Sequence, residues 1–222
     1  MISNYLTSKK LFKSLNPKID LDSITKDESP DGYYNLNNNF NADYILCDNF
    51  FTDKEIEEII LLGNLLPEKR GYLDGQNLNF DLRRTFCSWI PINEHTKWIY
   101  RKMSDLLKNV NEEHFNFDLT KIECLQFTKY YSTDSGFYVK HIDKTHKNSP
   151  ENRKLSFVLQ LSSPSDYEGG DLVIHTGNTP QNIKKGKGTI AFFPSYVLHE
   201  VTPVKKGIRY TLVGWVCGPT FK

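Results

Sequence analysis

The rhythm of apolar positions changes near residue 122 of this 222-residue chain. Up to about residue 42 the sequence is polar and Asn-rich, ending in "NLNNNFN", which predicts an irregular extension over 1–42. "DYILCDNFF" then reads as a strand. "TDKEIEEIILLGN" reads as a helix with Ile56, Ile59 and Ile60 on one stripe. Thr52 and Glu55 have the spacing of a capping box at its start, and Gly63 is the expected stop. A long polar loop over 64–82 leads into a strand in "TFCSWIPI". Between His95 and about Val110, the positions Ile99, Met103 and Leu106 recur at helical spacing.

From Ile122 onward the apolar runs are short and turn-formers separate them. Strands are predicted over 122–131, 137–142, 155–161, 171–176, 188–193, 198–202 and 209–216, divided by "STDSG", "SPENR", "SPSDYEGG", "TGNTPQN", "PSY" and "PVKKG". Short strands at this spacing close into a sandwich, barrel or jelly roll. The chain is therefore read as mainly β with flanking α. A single domain spans 43–222, its jelly roll lies at about 120–222, and the preceding helices pack outside one sheet.

Composition removes several classes of function. Lys and Arg total 28 against 27 Asp and Glu, a net charge of +1, which gives no strong attraction to nucleic acid or an anionic membrane. Hydrophobic residues at 38% and aromatics at 13% describe a globular chain. Cys47, Cys87, Cys124 and Cys217 are far apart within apolar stretches and show no zinc-type spacing, so they read as reduced core thiols. The N-terminal "MISNYLTSKKLFKSLNPK" lacks the apolar core of a signal peptide, and no run approaches the ~18 apolar residues of a membrane span. A soluble, cytoplasmic protein is the expectation.

The chemistry begins in "YYSTDSGFYVKHIDKTHK". In an extended chain the side chains at i and i+2 share a face, so His141 and Asp143 project together and can hold a metal ion from one side. Taken alone, such a pair is more often a hydrogen-bonded couple at a strand end, so the rest of the chain has to decide. In a jelly roll a third ligand must come from a distant strand, and His175 and His199 are the two later candidates. His199, in "FFPSYVLHEVTPV", is preferred because it heads a strand and is followed ten positions later by Arg209 in "GIRYTLVGWV". His175 has Lys185 at the same offset, but that lysine lies in the loop-like "NIKKGKG". Two histidines and one carboxylate cover one face of an octahedral Fe(II) and leave positions open for a bidentate 2-oxo acid and dioxygen. The planar fork of Arg209 suits the far carboxylate of a dicarboxylic 2-oxo acid.

The motifs "YYSTDSGFYVKHID", "RKLSFVLQLSSPSDYEGGDLVI" and "AFFPSYVLHEVTPVKKGIRYTLVGW" resemble the Fe(II)/2-oxoglutarate-dependent dioxygenases. The likeness is to their prolyl 4-hydroxylase-like group and its PKHD-type hydroxylases, strong from Leu125 onward and weak over the helices. It implies a double-stranded β-helix, with Fe(II) on His141, Asp143 and His199 and the distal carboxylate of 2-oxoglutarate on Arg209. Tyr131 stands where relatives often place a tyrosine on the cosubstrate, and Trp215 matches a pocket tryptophan of related prolyl hydroxylases. Gln160 stands where some relatives use a tyrosine on the cosubstrate. Gly169 and Gly170 read as turn residues. The implied cofactors are Fe(II), 2-oxoglutarate and dioxygen, with stimulation by ascorbate a further implication.

The resemblance also implies the substrate, a prolyl residue in a peptide or protein. Tyr131, Phe137, Tyr138 and Trp215 supply aromatic surface for a pyrrolidine ring, and the loops over 64–82 and 143–154 are long enough to close over an extended chain. Arg83, Arg84 and Trp89 follow the first loop and are candidates to face a peptide. The rival readings are an oxygenase for a free amino acid, small metabolite or nucleobase, and a non-enzymatic cupin-like binding module. A halogenase is disfavoured, because Asp143 fills the position such enzymes leave open for halide.

Overall fold

The computed structural model describes residues 43–71, 79–143 and 151–220. The extension expected over 1–42 lies outside them, as do residues 72–78 and 144–150 of the two expected lid loops. In chain order the elements are β1 (Ile45–Cys47), α1 (Asp53–Leu65), β2 (Lys69–Arg70), β3 (Arg83–Arg84), β4 (Phe86–Ile90), α2 (Lys97–Val110), β5 (Lys121–Ile122), β6 (Leu125–Tyr131), β7 (Phe137–His141) and β8 (Glu151–Gln160). They continue with β9 (Tyr167–Gly169), β10 (Leu172–His175), β11 (Gln181–Asn182), β12 (Ile190–Pro194), β13 (Leu198–Val201) and β14 (Val204–Pro219).

Two antiparallel sheets carry the molecule. The larger has nine strands, ordered β1-β12-β8-β14-β6-β4-β2 with β5 and β9 added on β14. The smaller has five, ordered β11-β10-β13-β7-β3. This is a double-stranded β-helix. Period-two alternation divides its apolar residues into two layers. Leu125, Phe127, Leu155, Phe157, Phe192 and Leu212 face Ile56, Ile59, Ile99 and Met103 of the helices, so α1 and α2 do pack outside one sheet. The alternate residues point between the sheets, where Tyr130, Tyr167, Leu172, Ile174 and Phe193 form the second cluster.

Local signals that lie within one element hold well. Thr52 caps α1 and accepts from the Glu55 N–H, while the Glu55 carboxylate accepts from the Thr52 N–H at 2.7 Å. Four expectations need correction. The loop over 64–82 contains one short strand, β2, which pairs β4, and β3 follows the loop directly and pairs β7. Strand β8 starts at Glu151 instead of 155, because Glu151–Arg153 find ladder partners in Pro219–Cys217. The thiols of Cys87 and Cys217 are buried, but Cys124 is exposed in the step between β5 and β6. Gly63 does not end α1. The helix runs on to Leu65, and a Cβ at Gly63 would sit 2.3 Å from the Phe127 ring.

That close approach decides a substitution. In a helix interior, Gly→Ala normally gains about 1 kcal/mol. Here the Phe127 ring is fully buried and cannot swing aside. Overpacking by one methyl typically costs ~1–3 kcal/mol, so Gly63→Ala should be net destabilising. The expected result is a lower urea midpoint at unchanged m-value. An unchanged or raised midpoint would show that α1 slides off the sheet at little cost.

Candidate metal centre

Strand β13 lies between β7 and β10 in the smaller sheet and sets His199 directly opposite His141 on one side and Ile174 on the other. His199 therefore shares its face with buried Ile174, and the neighbouring pair Leu198 and His175 points the other way. His175 instead meets Glu200, Nε2 to Oε1 at 2.9 Å. Period-two geometry thus separates the two late histidines: His199 enters the barrel and His175 does not.

Asp143 joins from the residue after next beyond β7. Its backbone N–H donates to the Ser195 carbonyl at 2.8 Å, which ties the end of β7 to the end of β12. The candidate ligand atoms of His141, Asp143 and His199 all lie within 4.8 Å of one another. His141 Nε2 is 3.7 Å from one Asp143 oxygen and His199 Nε2 is 3.5 Å from the other.

The surroundings fix the protonation of each ligand. His141 Nδ1 lies 2.7 Å from the Val139 carbonyl, and His199 Nδ1 lies 2.9 Å from that of Val197. A carbonyl only accepts, so each Nδ1 carries the proton and each Nε2 keeps its lone pair for a metal. Burial, then the neighbouring His199, push the His141 imidazolium down to about 4, so its ring is neutral near pH 7. Burial opposes the charge on Asp143. The two imidazoles nevertheless hold its carboxyl below the usual range, helped by the Ser156 hydroxyl. Ser156 Oγ donates to Asp143 Oδ2 at 2.8 Å and lies 2.9 Å from Ser195 Oγ. Two imidazole Nε2 atoms with one carboxylate suit a divalent cation with open positions.

The triad faces a cavity of about 290 Å³. Arg209, Thr211, Val213 and Trp215 line it from alternate positions of β14. Arg209 is 2% exposed, and among the described residues no carboxylate pairs with it. Its Nε and the Thr211 hydroxyl are buried without a hydrogen-bond partner. The guanidinium carbon lies 5.1 Å from the centre of the Tyr130 ring. Gly170, at φ +60°, leaves the space in which the Arg209 stem lies, since a Cβ there would be 3.1 Å from Arg209 Cδ. An isolated buried cation is costly. The orphaned donors and the missing counter-charge fit a carboxylate ligand held in the same cavity as the triad.

Other expected residues divide by face. Trp215, Tyr138 and Arg83 line the cavity, as does Trp89 at its rim. Tyr138 stacks on His141 with ring centres 3.5 Å apart, and Arg83 lies over Tyr138 at 4.7 Å. Tyr131 does not line the cavity. It lies on the opposite face of β6, edge-on to Phe86 at 5.4 Å, and its predecessor Tyr130 lines the cavity instead. Arg84 likewise alternates away from Arg83 and donates to the Phe80 carbonyl at 2.8 Å. Gln160 borders a small recess beyond Arg209, where its amide donates to the Tyr167 hydroxyl at 2.9 Å.

Sequence reasoning missed Thr211, Tyr130, Ser156 and Ser195. A signal was present for two of them, each a polar group that interrupts an apolar strand at the same alternation as a recognised site residue. Thr211 follows Arg209 by two, and Ser156 precedes Val158 and Gln160 on one face.

Comparison with known proteins agrees with this geometry. Residues 125–217 match the family model of the 2OG-Fe(II) oxygenase superfamily. A PKHD-type hydroxylase of Prochlorococcus marinus strain NATL2A is 44% identical over 160 residues, 70% of this chain and 71% of the relative. Another, from strain NATL1A, is 32% identical over 166 residues, 73% of each chain. Among solved structures, a prolyl hydroxylase from Trichoplax adhaerens, in complex with a hypoxia inducible factor oxygen degradation domain peptide fragment, superposes with a TM-score of 0.66 at 20% identity. That match covers 78% of this chain and 83% of the other. A Pseudomonas putida prolyl-4-hydroxylase gives 0.62 at 20% identity, covering 80% and 94%. These two likenesses speak for the fold.

Proposed function

From a chain that belongs to the PKHD-type hydroxylases of the 2OG-Fe(II) oxygenase superfamily, an enzyme using Fe(II), 2-oxoglutarate and dioxygen, we propose a hydroxylase of prolyl residues in a peptide or protein. One observation carries the reading: the His141, Asp143 and His199 triad and the buried Arg209 line the same cavity. When bound, iron and 2-oxoglutarate would activate dioxygen, the oxidant: 2-oxoglutarate loses carbon dioxide to become succinate, which takes one atom of O2, and the other atom enters a C–H bond of the substrate.

The chain's own residues bind, orient and exclude water. In this reading His141, Asp143 and His199 hold the iron through Nε2, a carboxylate oxygen and Nε2. Ser156 keeps the second carboxylate oxygen of Asp143 from rotating toward the metal. Arg209 and Thr211 supply their unpartnered donors to the distal carboxylate of 2-oxoglutarate, with Tyr130 beside them. Val158, Leu172 and Val201 form apolar walls around the cosubstrate end.

The outer half of the cavity supports the prolyl assignment. Tyr138, Ile142 and Trp215 present apolar surface to a ring of pyrrolidine size, and the guanidinium groups of Arg83 and Arg153 disfavour a cationic side chain there. Incubation with Fe(II), 2-oxoglutarate and oxygen should add one oxygen atom to proline in proline-containing peptides, detected by mass spectrometry and absent for His141→Ala. Oxygen entering a free amino acid or a nucleobase while every proline peptide stayed unmodified would overturn the prolyl assignment and leave the oxygenase intact.

A further inference from the structure

Trp215 forms one wall of the outer cavity, and more than apolar packing holds its ring. The Arg153 guanidinium stacks on it, 3.9 Å from the ring centre. Arg153 is in turn held by Glu123, with Nε–H donating to Oε1 at 2.8 Å and an Nη2–H to Oε2 at 2.6 Å. Two parallel bonds of this kind lock the plane of a guanidinium. Glu123 is itself fixed from β14: its backbone N–H donates to the Trp215 carbonyl at 2.9 Å, and the Cys217 thiol donates to Oε1 at 3.2 Å. The chain of contacts runs from the Trp215 backbone through Glu123 and Arg153 back to the Trp215 ring. Trp89 also neighbours it, with ring centres 6.3 Å apart, but at 49% exposed it is too open to set the ring alone. Glu123 does not line the cavity.

We propose that Glu123 is a positioning residue for the substrate: through Arg153 it sets the Trp215 ring against which the reacting residue docks, and it has no part in holding 2-oxoglutarate. This rests on reading the outer cavity as the substrate pocket. The geometry separates the two functions along β14, because Arg209 and Thr211 lie at the cosubstrate end and Trp215 at the other. Glu123→Gln replaces one of the two acceptors with an N–H donor, which removes one of the two parallel bonds that orient the Arg153 plane. The Trp215 ring then loses the surface it leans on.

The test uses the full chain with Glu123→Gln and Arg153→Lys. Lysine keeps the charge but loses the stacked plane. With Fe(II), 2-oxoglutarate and poly-L-proline as probe, both variants should raise the half-saturating polymer concentration about tenfold. The half-saturating 2-oxoglutarate concentration should stay within about twofold. The indole N–H resonance of Trp215, assigned by its loss in Trp215→Phe, should move in both variants while that of Trp98 stays in place. An unmoved Trp215 resonance, or half-saturating values for polymer and 2-oxoglutarate that change together or not at all, would overturn the proposal. If the wild-type protein oxidises no poly-L-proline, the prolyl reading fails instead, and the Trp215 resonance alone then decides whether Glu123 positions the ring.

Discussion

His199→Ala should reduce 2-oxoglutarate turnover by more than about 100-fold, while His175→Ala leaves it within about twofold. Partners one shell outside a metal typically cost ~10–100-fold when removed, so a direct ligand sets a larger loss. The two histidines sit on adjacent strands in opposite orientations, and only His199 reaches Asp143, at 3.5 Å. His199→Ala should still fold, because the apolar cluster beneath the helices does not include it. Calorimetry with Mn(II) under anaerobic conditions gives a readout independent of turnover: the wild type and His175→Ala should bind with matching affinity, and His199→Ala should bind far more weakly. Full turnover in His199→Ala together with its loss in His175→Ala would reverse the assignment.

Arg209→Ala should raise the half-saturating 2-oxoglutarate concentration roughly 10- to 100-fold. A charge-assisted bond is worth ~1.5–3 kcal/mol, and each 1.4 kcal/mol is about tenfold. Arg209 is 2% exposed, so solvent does little to screen that bond. Arg209→Lys should be intermediate, because it keeps the charge and loses the fork. Steady-state titration of 2-oxoglutarate at saturating Fe(II) separates these values. Equal requirements in all three proteins would show that the carboxylate binds elsewhere.

Much of this was legible in the sequence because alternation along a strand is a local property. His141 and Asp143 are two positions apart, so their shared face could be read without knowing the fold. The Thr52 and Glu55 cap was readable for the same reason, as the helix start lies within four residues. Where pairing between distant strands decides the outcome, the sequence was mute. Nothing local told that Glu151–Arg153 would continue β8, since only the ladder to Cys217–Pro219 makes those polar residues extended. Gly63 looked like a helix stop because its true constraint, the Phe127 ring, lies on another element.

The faces of β6 show the same limit at the site. Tyr130 and Tyr131 are adjacent, so one must face the cavity and the other the opposite side. A resemblance aligned by motif chose Tyr131, whereas the register of β6 against β14 sets Tyr130 opposite Arg209. A one-residue slip reverses every side chain in a strand. Thr211, Ser156 and Ser195 were overlooked for a different reason: hydroxyls are ordinary in strands and turns, and only their burial beside Arg209 and Asp143 gives them meaning.

If the one cavity bounded by His141, Asp143, His199 and Arg209 couples 2-oxoglutarate decarboxylation to oxygen transfer, an atom of dioxygen must enter the succinate. The most direct measurement is isotopic: turnover under ¹⁸O₂ with Fe(II) and 2-oxoglutarate, followed by mass analysis of the succinate. The expected result is one ¹⁸O atom in each succinate for the wild-type protein and no succinate for His199→Ala. Succinate formed without ¹⁸O, or formed equally well by His199→Ala, would contradict it.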